Sequence, residues 1–314
     1  MELLSQLFEQ LNRTYNLKAD LCQAPRRFTM PPFPSLTKTW HTDSYPAISP
    51  TRPELSAANK TVVVTGGGTG IGANIARSFA IAGSKKIAII GRRPKPLEDT
   101  ARQLQADFPE LKIVVQPADI TNQEQVNQAF DAIANEFGPI DVLASNAGVV
   151  FGAGKINELD VEEAWKTFET IVKGNLLVAR AFGRVASKQD AVVVHTSSVC
   201  AALHAFPGAV AYTASKLAAT KIWDYFGVEN PGIRVVSIQP GQIQTTMADE
   251  LGIKMPDSVD LPGNFAVWLA SPEAQFLNGK FVYANWDIDE LLARKKEFET
   301  TELGTIKYDG LPSA

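Results

Sequence analysis

The chain has 314 residues, enough for one large α/β domain with some to spare, and its 45% apolar and 20% charged residues suit a soluble globular protein. A formal charge of −4 provides no basic field for a nucleic-acid backbone, which excludes nucleic acid as an expected partner. Two cysteines, Cys22 and Cys200, exclude a disulfide framework. No apolar run approaches the ~18 residues of a spanning helix, and Glu2, Gln6, Glu9 and Gln10 break any signal core in Met1 to Leu11, so a cytoplasmic protein without a membrane partner is expected.

In chain order, Leu3, Leu4, Leu7 and Leu11 recur at helical spacing and predict a short amphipathic helix. The stretch from Pro25 to Pro53 carries seven prolines, including Pro31, Pro32 and Pro34, and reads as an extended arm. Such an arm either lies on the surface, partly disordered, or reaches a partner subunit or the rim of a site. From Lys60 onward, strand and helix patterns alternate. Short apolar runs fall at 61–65, 86–90, 112–115, 140–144, 191–195 and 234–238, with helix-period segments around 71–82, 97–106, 122–137, 160–187 and 211–226. Continuous apolar strands alternating with helices predict a parallel sheet covered on both faces, and right-handed crossovers make it a doubly wound, Rossmann-like α/β fold. The expected division is an arm at 1–59, the core at 60–286, and a C-terminal helix and tail at 287–314.

Thr61 to Gly72 reads TVVVTGGGTGIG, a strand, a glycine-rich turn and the start of a helix. Gly66 permits the tight turn, Gly70 lets the backbone approach a pyrophosphate, and Gly72 allows close helix–strand packing, with free N–H groups at the helix start. The second strand ends Ile89-Ile90-Gly91-Arg92-Arg93. An acid at the Gly91 position would bond a ribose 2′-hydroxyl; arginine there accommodates a 2′-phosphate, which favours NADP(H) over NAD(H).

Tyr212-Thr213-Ala214-Ser215-Lys216 opens a helix, with Tyr212 and Lys216 at i, i+4 on one face. An ammonium beside the phenol, with a nicotinamide cation near, would lower the ~10 pKa of tyrosine and let Tyr212 exchange a proton with a substrate oxygen. Val192 to Ser198 reads VVVHTSS, a strand ending in hydroxyls, and Ser198 or Ser197 is placed to bond the same oxygen.

In combination these residues resemble the short-chain dehydrogenase/reductase family over about residues 58–285. The matching motifs are Thr65-Gly66-x-x-x-Gly70-x-Gly72, Asp119, Asn146-Ala147-Gly148, Ser198, Tyr212-x-x-x-Lys216 and Pro240-Gly241. The long arm and the Ala284-Asn285-Trp286-Asp287 ending look like fungal members. The resemblance implies that Gly66, Thr69, Gly70 and Ile71 wrap the pyrophosphate, that Arg92 takes the 2′-phosphate, and that Asp119 with Ile120 borders the adenine. It further implies that Asn146, Ala147 and Gly148 line the cofactor. Tyr212 is then the acid/base, Lys216 binds the nicotinamide ribose, and Pro240, Ile243 and Thr245 hold the nicotinamide.

Three departures stand out. The Ser198–Tyr212 gap of 14 residues is one longer than usual. The last core strand leads into Trp286 and a charged helix near Asp287 to Phe298. Ile171 aligns with the family's catalytic asparagine, unless a short insertion makes Asn175 that residue. The substrate side is expected from Val149 to Gly154, Cys200 to Ala209 and a lid loop from Thr246 to Gly263, carrying Phe151, Leu203, His204, Phe206, Met247, Leu251 and Met255. This lining suits an apolar ketone or secondary alcohol. His41, His195 and His204 are too scattered for a metal site. Helices 160–187 and 211–226, with Phe168, Ile171, Leu176, Val178, Phe182, Leu217, Ile222 and Phe226, carry apolar surface for a homodimer or homotetramer. The competing readings are an NAD(H)-dependent alcohol dehydrogenase and a non-redox member of the fold, to which Ile171 would give room.

Overall fold

Seven parallel strands form one sheet in the order β3-β2-β1-β4-β5-β6-β7. They are β1 (Thr61–Thr65), β2 (Lys86–Gly91), β3 (Lys112–Pro117), β4 (Val142–Ser145), β5 (Ala191–Thr196), β6 (Ile233–Gln239) and β7 (Lys280–Tyr283). The computed structural model describes residues 33–202, 208–250 and 254–307. The predicted helix over Leu3 to Leu11 and Leu203, His204, Phe206 and Leu251 lie outside the described residues, as does the side chain of Met247.

The strands alternate sides as a buried parallel sheet requires. Val62 and Val64 enter one core with Phe79 and Phe265; Val63 enters the other with Phe130, Ile133, Phe182 and Trp223. Fully burying each such side chain contributes roughly 1.5–3 kcal/mol. Helices α1 (Gly70–Ile81), α2 (Pro94–Asp107) and α3 (Gln123–Phe137) make the crossovers of the first half. Asn122 starts α3 by accepting from Glu124 and Gln125 N–H groups, and Gly138, at φ 85°, ends it. The sheet order turns back between β1 and β4, opening a crevice at their carboxyl ends.

The predicted 160–187 helix is one continuous rod with an internal irregularity. It comprises α4 (Val161–Phe168), a π turn (Glu169–Lys173) and α5 (Gly174–Val185). A π turn is how a helix absorbs an extra residue, and such turns concentrate at functional sites. Helix α6 (Val210–Glu229) packs beside it, and α7 (Thr246–Glu250) follows β6.

The predicted loop to Gly263 is shorter than expected. Helix α8 (Asp260–Leu269) already begins at Asp260, and every residue from Leu261 to Leu269 is buried. Buried on all sides, it shows no amphipathic period, and Pro262 and Gly263 disguise it as a loop. Pro262 falls in the first turn, where its missing N–H costs nothing.

The arm from residue 33 packs instead of projecting. Phe33, Ile48, Leu55 and Ala57 are buried in the first core, and Tyr45 donates its hydroxyl to the Trp286 carbonyl at 3.0 Å. The C-terminal segment beyond β7 is two short helices, α9 (Ile288–Ala293) and α10 (Lys295–Thr300), rather than one.

Candidate active site

The crevice at the carboxyl ends of β1, β2, β4 and β5 is a cleft of about 470 Å³. Its walls include Gly66, Thr69, Gly70, Ile71, Arg92, Asp119, Ile120, Asn146, Ala147, Gly148, Tyr212, Lys216, Pro240 and Thr245. Thirteen chain positions separated by as many as 179 residues thus meet Gly66 at one edge, as the doubly wound topology dictates.

At the glycine end, a Cβ on Gly72 would collide with the Gly66 carbonyl carbon at 2.7 Å, so the turn and α1 approach only because no side chain intervenes. The Thr69 side chain caps nothing, leaving its hydroxyl and the first N–H groups of α1 directed to the cleft. Thr65 braces the opposite wall. Its hydroxyl accepts from Asn146 N–H at 3.0 Å and Ala147 N–H at 3.1 Å, while Asn146 Nδ2 donates to the Thr65 carbonyl at 3.2 Å. Sequence reasoning used Thr65 only as a motif position and missed this bracing role. Asp119 turns inward on its own loop, accepting from Thr121 N–H and hydroxyl at 2.9 and 2.8 Å. Arg92 and Arg93 are exposed at the end of β2, with no ion pair or hydrogen bond to other described residues. Glycine cradle, free helix amides and two unpaired guanidinium groups fit a dinucleotide carrying an extra phosphate.

At the other end, Ser198, Tyr212 and Lys216 converge. Ser198 lies beside the Tyr212 phenol, and its hydroxyl accepts the Cys200 N–H at 3.2 Å. Ser197 bonds the Thr220 hydroxyl at 2.7 Å and also lines the cleft. Lys216 is buried, its Nζ 5.8 Å from the Tyr212 ring centre, donating to the Thr196 carbonyl at 2.7 Å.

The electrostatics differ from the expectation for the protein without cofactor. Burial pushes the Tyr212 phenol upward rather than downward; Cys200 adds to this and the Ser198 hydrogen bond opposes it. Burial lowers Lys216 to about 8. The phenol therefore holds its proton at neutral pH, and the lysine is poised to change charge. Burial also pushes the Cys200 thiol up, which suits a wall residue and not a nucleophile.

Ile171 and Asn175 are separated by the π turn. Ile171 is fully buried in it, away from the cleft. Asn175, 3% exposed, accepts from Ser145 Oγ at 2.8 Å and Trp223 Nε1 at 2.8 Å, and donates to the Ile171 carbonyl at 2.6 Å. Asn175 is thus the buried amide that braces this helix against β4 and α6, one turn after Ile171. Near the substrate side, Thr167 holds the Phe151 backbone through both its N–H, at 2.8 Å, and its carbonyl, at 3.0 Å.

Among the faces expected to join subunits, Ile171, Val178, Phe182 and Phe226 are core residues of this chain itself and leave no surplus. Of the expected residues Leu176 (56%) and Leu217 (37%) are exposed, and they are joined by Val161 (65%), Trp165 (57%), Tyr225 (63%) and Val228 (81%).

Comparison with known proteins agrees with this architecture. The family model described as short chain dehydrogenase matches residues 60–255. A short chain dehydrogenase/reductase of Claviceps purpurea is 35% identical over 270 residues, covering 84% of this chain and 90% of its own length. One of Aspergillus aculeatus is 34% identical, covering 84% and 92%. The crystal structure of a short chain dehydrogenase from Burkholderia cenocepacia in complex with NADP superposes with a TM-score of 0.65 at 26% identity, over 72% of this chain and 96% of that one. No described helix is long and apolar enough to cross a membrane. The chain belongs to the short-chain dehydrogenase/reductase family, whose members are oxidoreductases using nicotinamide cofactors on small molecules.

Proposed function

We propose that the protein is an NADP(H)-dependent oxidoreductase that interconverts a carbonyl and a secondary alcohol on a largely apolar substrate, with Tyr212 as acid/base. The observation that carries this reading is the convergence of Tyr212 and Lys216, with Ser198 beside the phenol, at one end of the cleft whose other end is the glycine cradle with Arg92. The 60–286 core would hold the site, with the described residues 33–59 and 287–307 packed against it, and the composition supports a cytoplasmic location. Consumption of NADPH with a panel of apolar ketones, followed by loss of nicotinamide absorbance, tests the activity.

The bound nicotinamide would supply or accept the hydride. Ser198 would donate a hydrogen bond to the substrate oxygen, and Tyr212 would deliver the proton to that oxygen in reduction. Lys216 would exchange the Thr196 carbonyl for the nicotinamide ribose. Asn175, rather than Ile171, would serve the proton path to solvent. Gly66, Thr69, Gly70 and Ile71 would receive the pyrophosphate, Asp119 and Ile120 the adenine, Asn146 to Gly148 the middle of the cofactor, and Pro240, Ile243 and Thr245 the nicotinamide. Val149, Phe151, Cys200 and Met255 would line the substrate side.

Arg92 would select the cofactor through a charged contact with the 2′-phosphate. Such bonds contribute about 1.5–3 kcal/mol, so NADPH should bind more than roughly tenfold tighter than NADH. Fluorescence titration is expected to show this preference and its loss in Arg92→Ala. Equal affinities in the wild type would move the reading to an NAD(H)-dependent dehydrogenase.

The exposed Val161, Trp165, Leu176 and Tyr225 on α4 to α6 support a homodimer or homotetramer joined along these helices. Sedimentation at micromolar concentration is expected to give a multiple of 34.0 kDa, and Trp165→Glu to shift it toward that mass. A wild-type monomer would refute the assembly.

A further inference from the structure

The segment that follows the nicotinamide-facing residues leaves and returns at one place. Gln242 N–H donates to Asp257 Oδ2 at 2.7 Å, and Asp257 N–H donates back to the Gln242 carbonyl at 3.0 Å. This closes a parallel bridge between Ile243 and Asp257, with Met255 N–H donating to Gln244 Oε1 at 2.9 Å just inside it. The same Oδ2 accepts Asn285 Nδ2 at 2.9 Å. Gly241, at φ 100°, passes so near that a Cβ there would sit 2.9 Å from this oxygen.

Asn285 continues the chain of contacts. Its Nδ2 also donates to the His41 carbonyl at 2.8 Å, while His41 N–H donates to the Asn285 carbonyl at 2.8 Å. Asn285 is fully buried and its Oδ1 meets no partner among the described residues, so its amide is oriented by these two acceptors alone. Ser258 N–H donates to the Thr42 carbonyl at 2.8 Å, fixing the arm to the residue after Asp257. Three segments remote in sequence therefore meet on one carboxylate that is 8% exposed. A buried carboxylate is costly unless its hydrogen bonds hold it, and these are its donors.

We propose that Asp257 is a positioning residue that ties the N-terminal arm to the Pro240–Thr245 segment, setting the nicotinamide end of the cleft and the neck of the substrate loop. The inference rests on the reading in which Pro240, Ile243 and Thr245 meet the nicotinamide. Its signature is spatial. Loss of the tie disturbs the nicotinamide end and spares the adenosine end, which is built on β1, β2 and α1. Misplacement at a reacting end without direct contact is a recognised source of large rate loss.

The test uses the full chain with Asp257→Ala, Asp257→Asn and Asn285→Ala, and compares binding of whole NADPH with that of its half, 2′,5′-ADP, by fluorescence or calorimetry. Amide exchange at 240–246 is followed in parallel. Asp257→Ala is expected to weaken NADPH about tenfold or more while leaving 2′,5′-ADP within about twofold. Asparagine keeps an acceptor in the place of Oδ2 and is expected to restore most of the loss. Asn285→Ala is expected to speed exchange at 240–243 and near His41, with the same NADPH-only weakening at smaller size, and it carries the comparison if Asp257→Ala does not fold. Variants that bind both molecules as the wild type does, or lose both alike, would overturn the coupling. A wild type that binds 2′,5′-ADP but gains nothing from the nicotinamide half would instead overturn the assignment of Pro240–Thr245 and this inference with it.

Discussion

Tyr212→Phe is expected to lower turnover about 10² to 10⁴-fold while changing NADPH affinity little. The substitution removes one oxygen. The ring that lies 5.8 Å from Lys216 Nζ remains, so the lysine keeps its place and the cleft keeps its shape. What is lost is the hydroxyl that faces Ser198. Because burial holds the phenol protonated, reduction is expected to proceed across neutral pH without a prior ionisation, whereas oxidation must first remove that proton and is expected to quicken as pH rises. Steady-state kinetics with NADPH titration checks both parts. A phenylalanine variant retaining more than about a tenth of wild-type turnover would show that the acid is another group.

The second large effect is expected at the π turn. Asn175→Ala strips the partner from Ser145 Oγ, Trp223 Nε1 and the Ile171 carbonyl, all in a buried setting. Each unsatisfied group costs about 1–3 kcal/mol, so a loss of at least about 2 kcal/mol in stability is expected, and turnover should fall tenfold or more even where the variant is fully folded. Ile171→Asn should gain no activity, since it forces an amide into a fully buried apolar site, and should destabilise by a similar amount. Thermal melts and turnover measured below the lowered midpoint distinguish the two positions. An active Asn175→Ala beside an Ile171→Asn of raised turnover would return the role to residue 171.

The two residues illustrate where the sequence stops being legible. Alternation of β-branched runs and helical periods announced the sheet, and the spacing of Tyr212 and Lys216 announced their shared face, because both follow from fixed geometric periods. A π turn changes the period for one turn only and leaves no residue signature, so the irregularity that contains Ile171 and precedes Asn175 was not legible. The serine pair was ambiguous because both hydroxyls fit the motif; in the fold Ser197 bonds Thr220 and Ser198 accepts the Cys200 N–H beside Tyr212.

Burial hid other features. Helix α8 lacks a polar face, so Pro262 and Gly263 read as a loop. Half of the apolar residues chosen for a subunit face are core, since helices sandwiched between a sheet and solvent bury more than one stripe; Leu176, with Trp165 and Tyr225, carries exposed surface. The prolines of the arm signalled a segment without long elements, and its described part holds only two short 3-10 turns, Pro46–Ile48 and Pro53–Leu55, and one bridge between Trp40 and Trp286. They gave no sign that His41 and Thr42 dock against Asn285 and Ser258, because those contacts run through backbone groups, which every residue possesses.

The most direct test of the central claim is isotopic. Wild-type protein supplied with NADPH bearing deuterium at the transferring C4 position and an apolar ketone is expected to place one deuterium on the carbinol carbon of the product, at a rate that falls with Tyr212→Phe. Product formed without deuterium, or NADPH bound with no reduction across a broad ketone panel, would contradict the account.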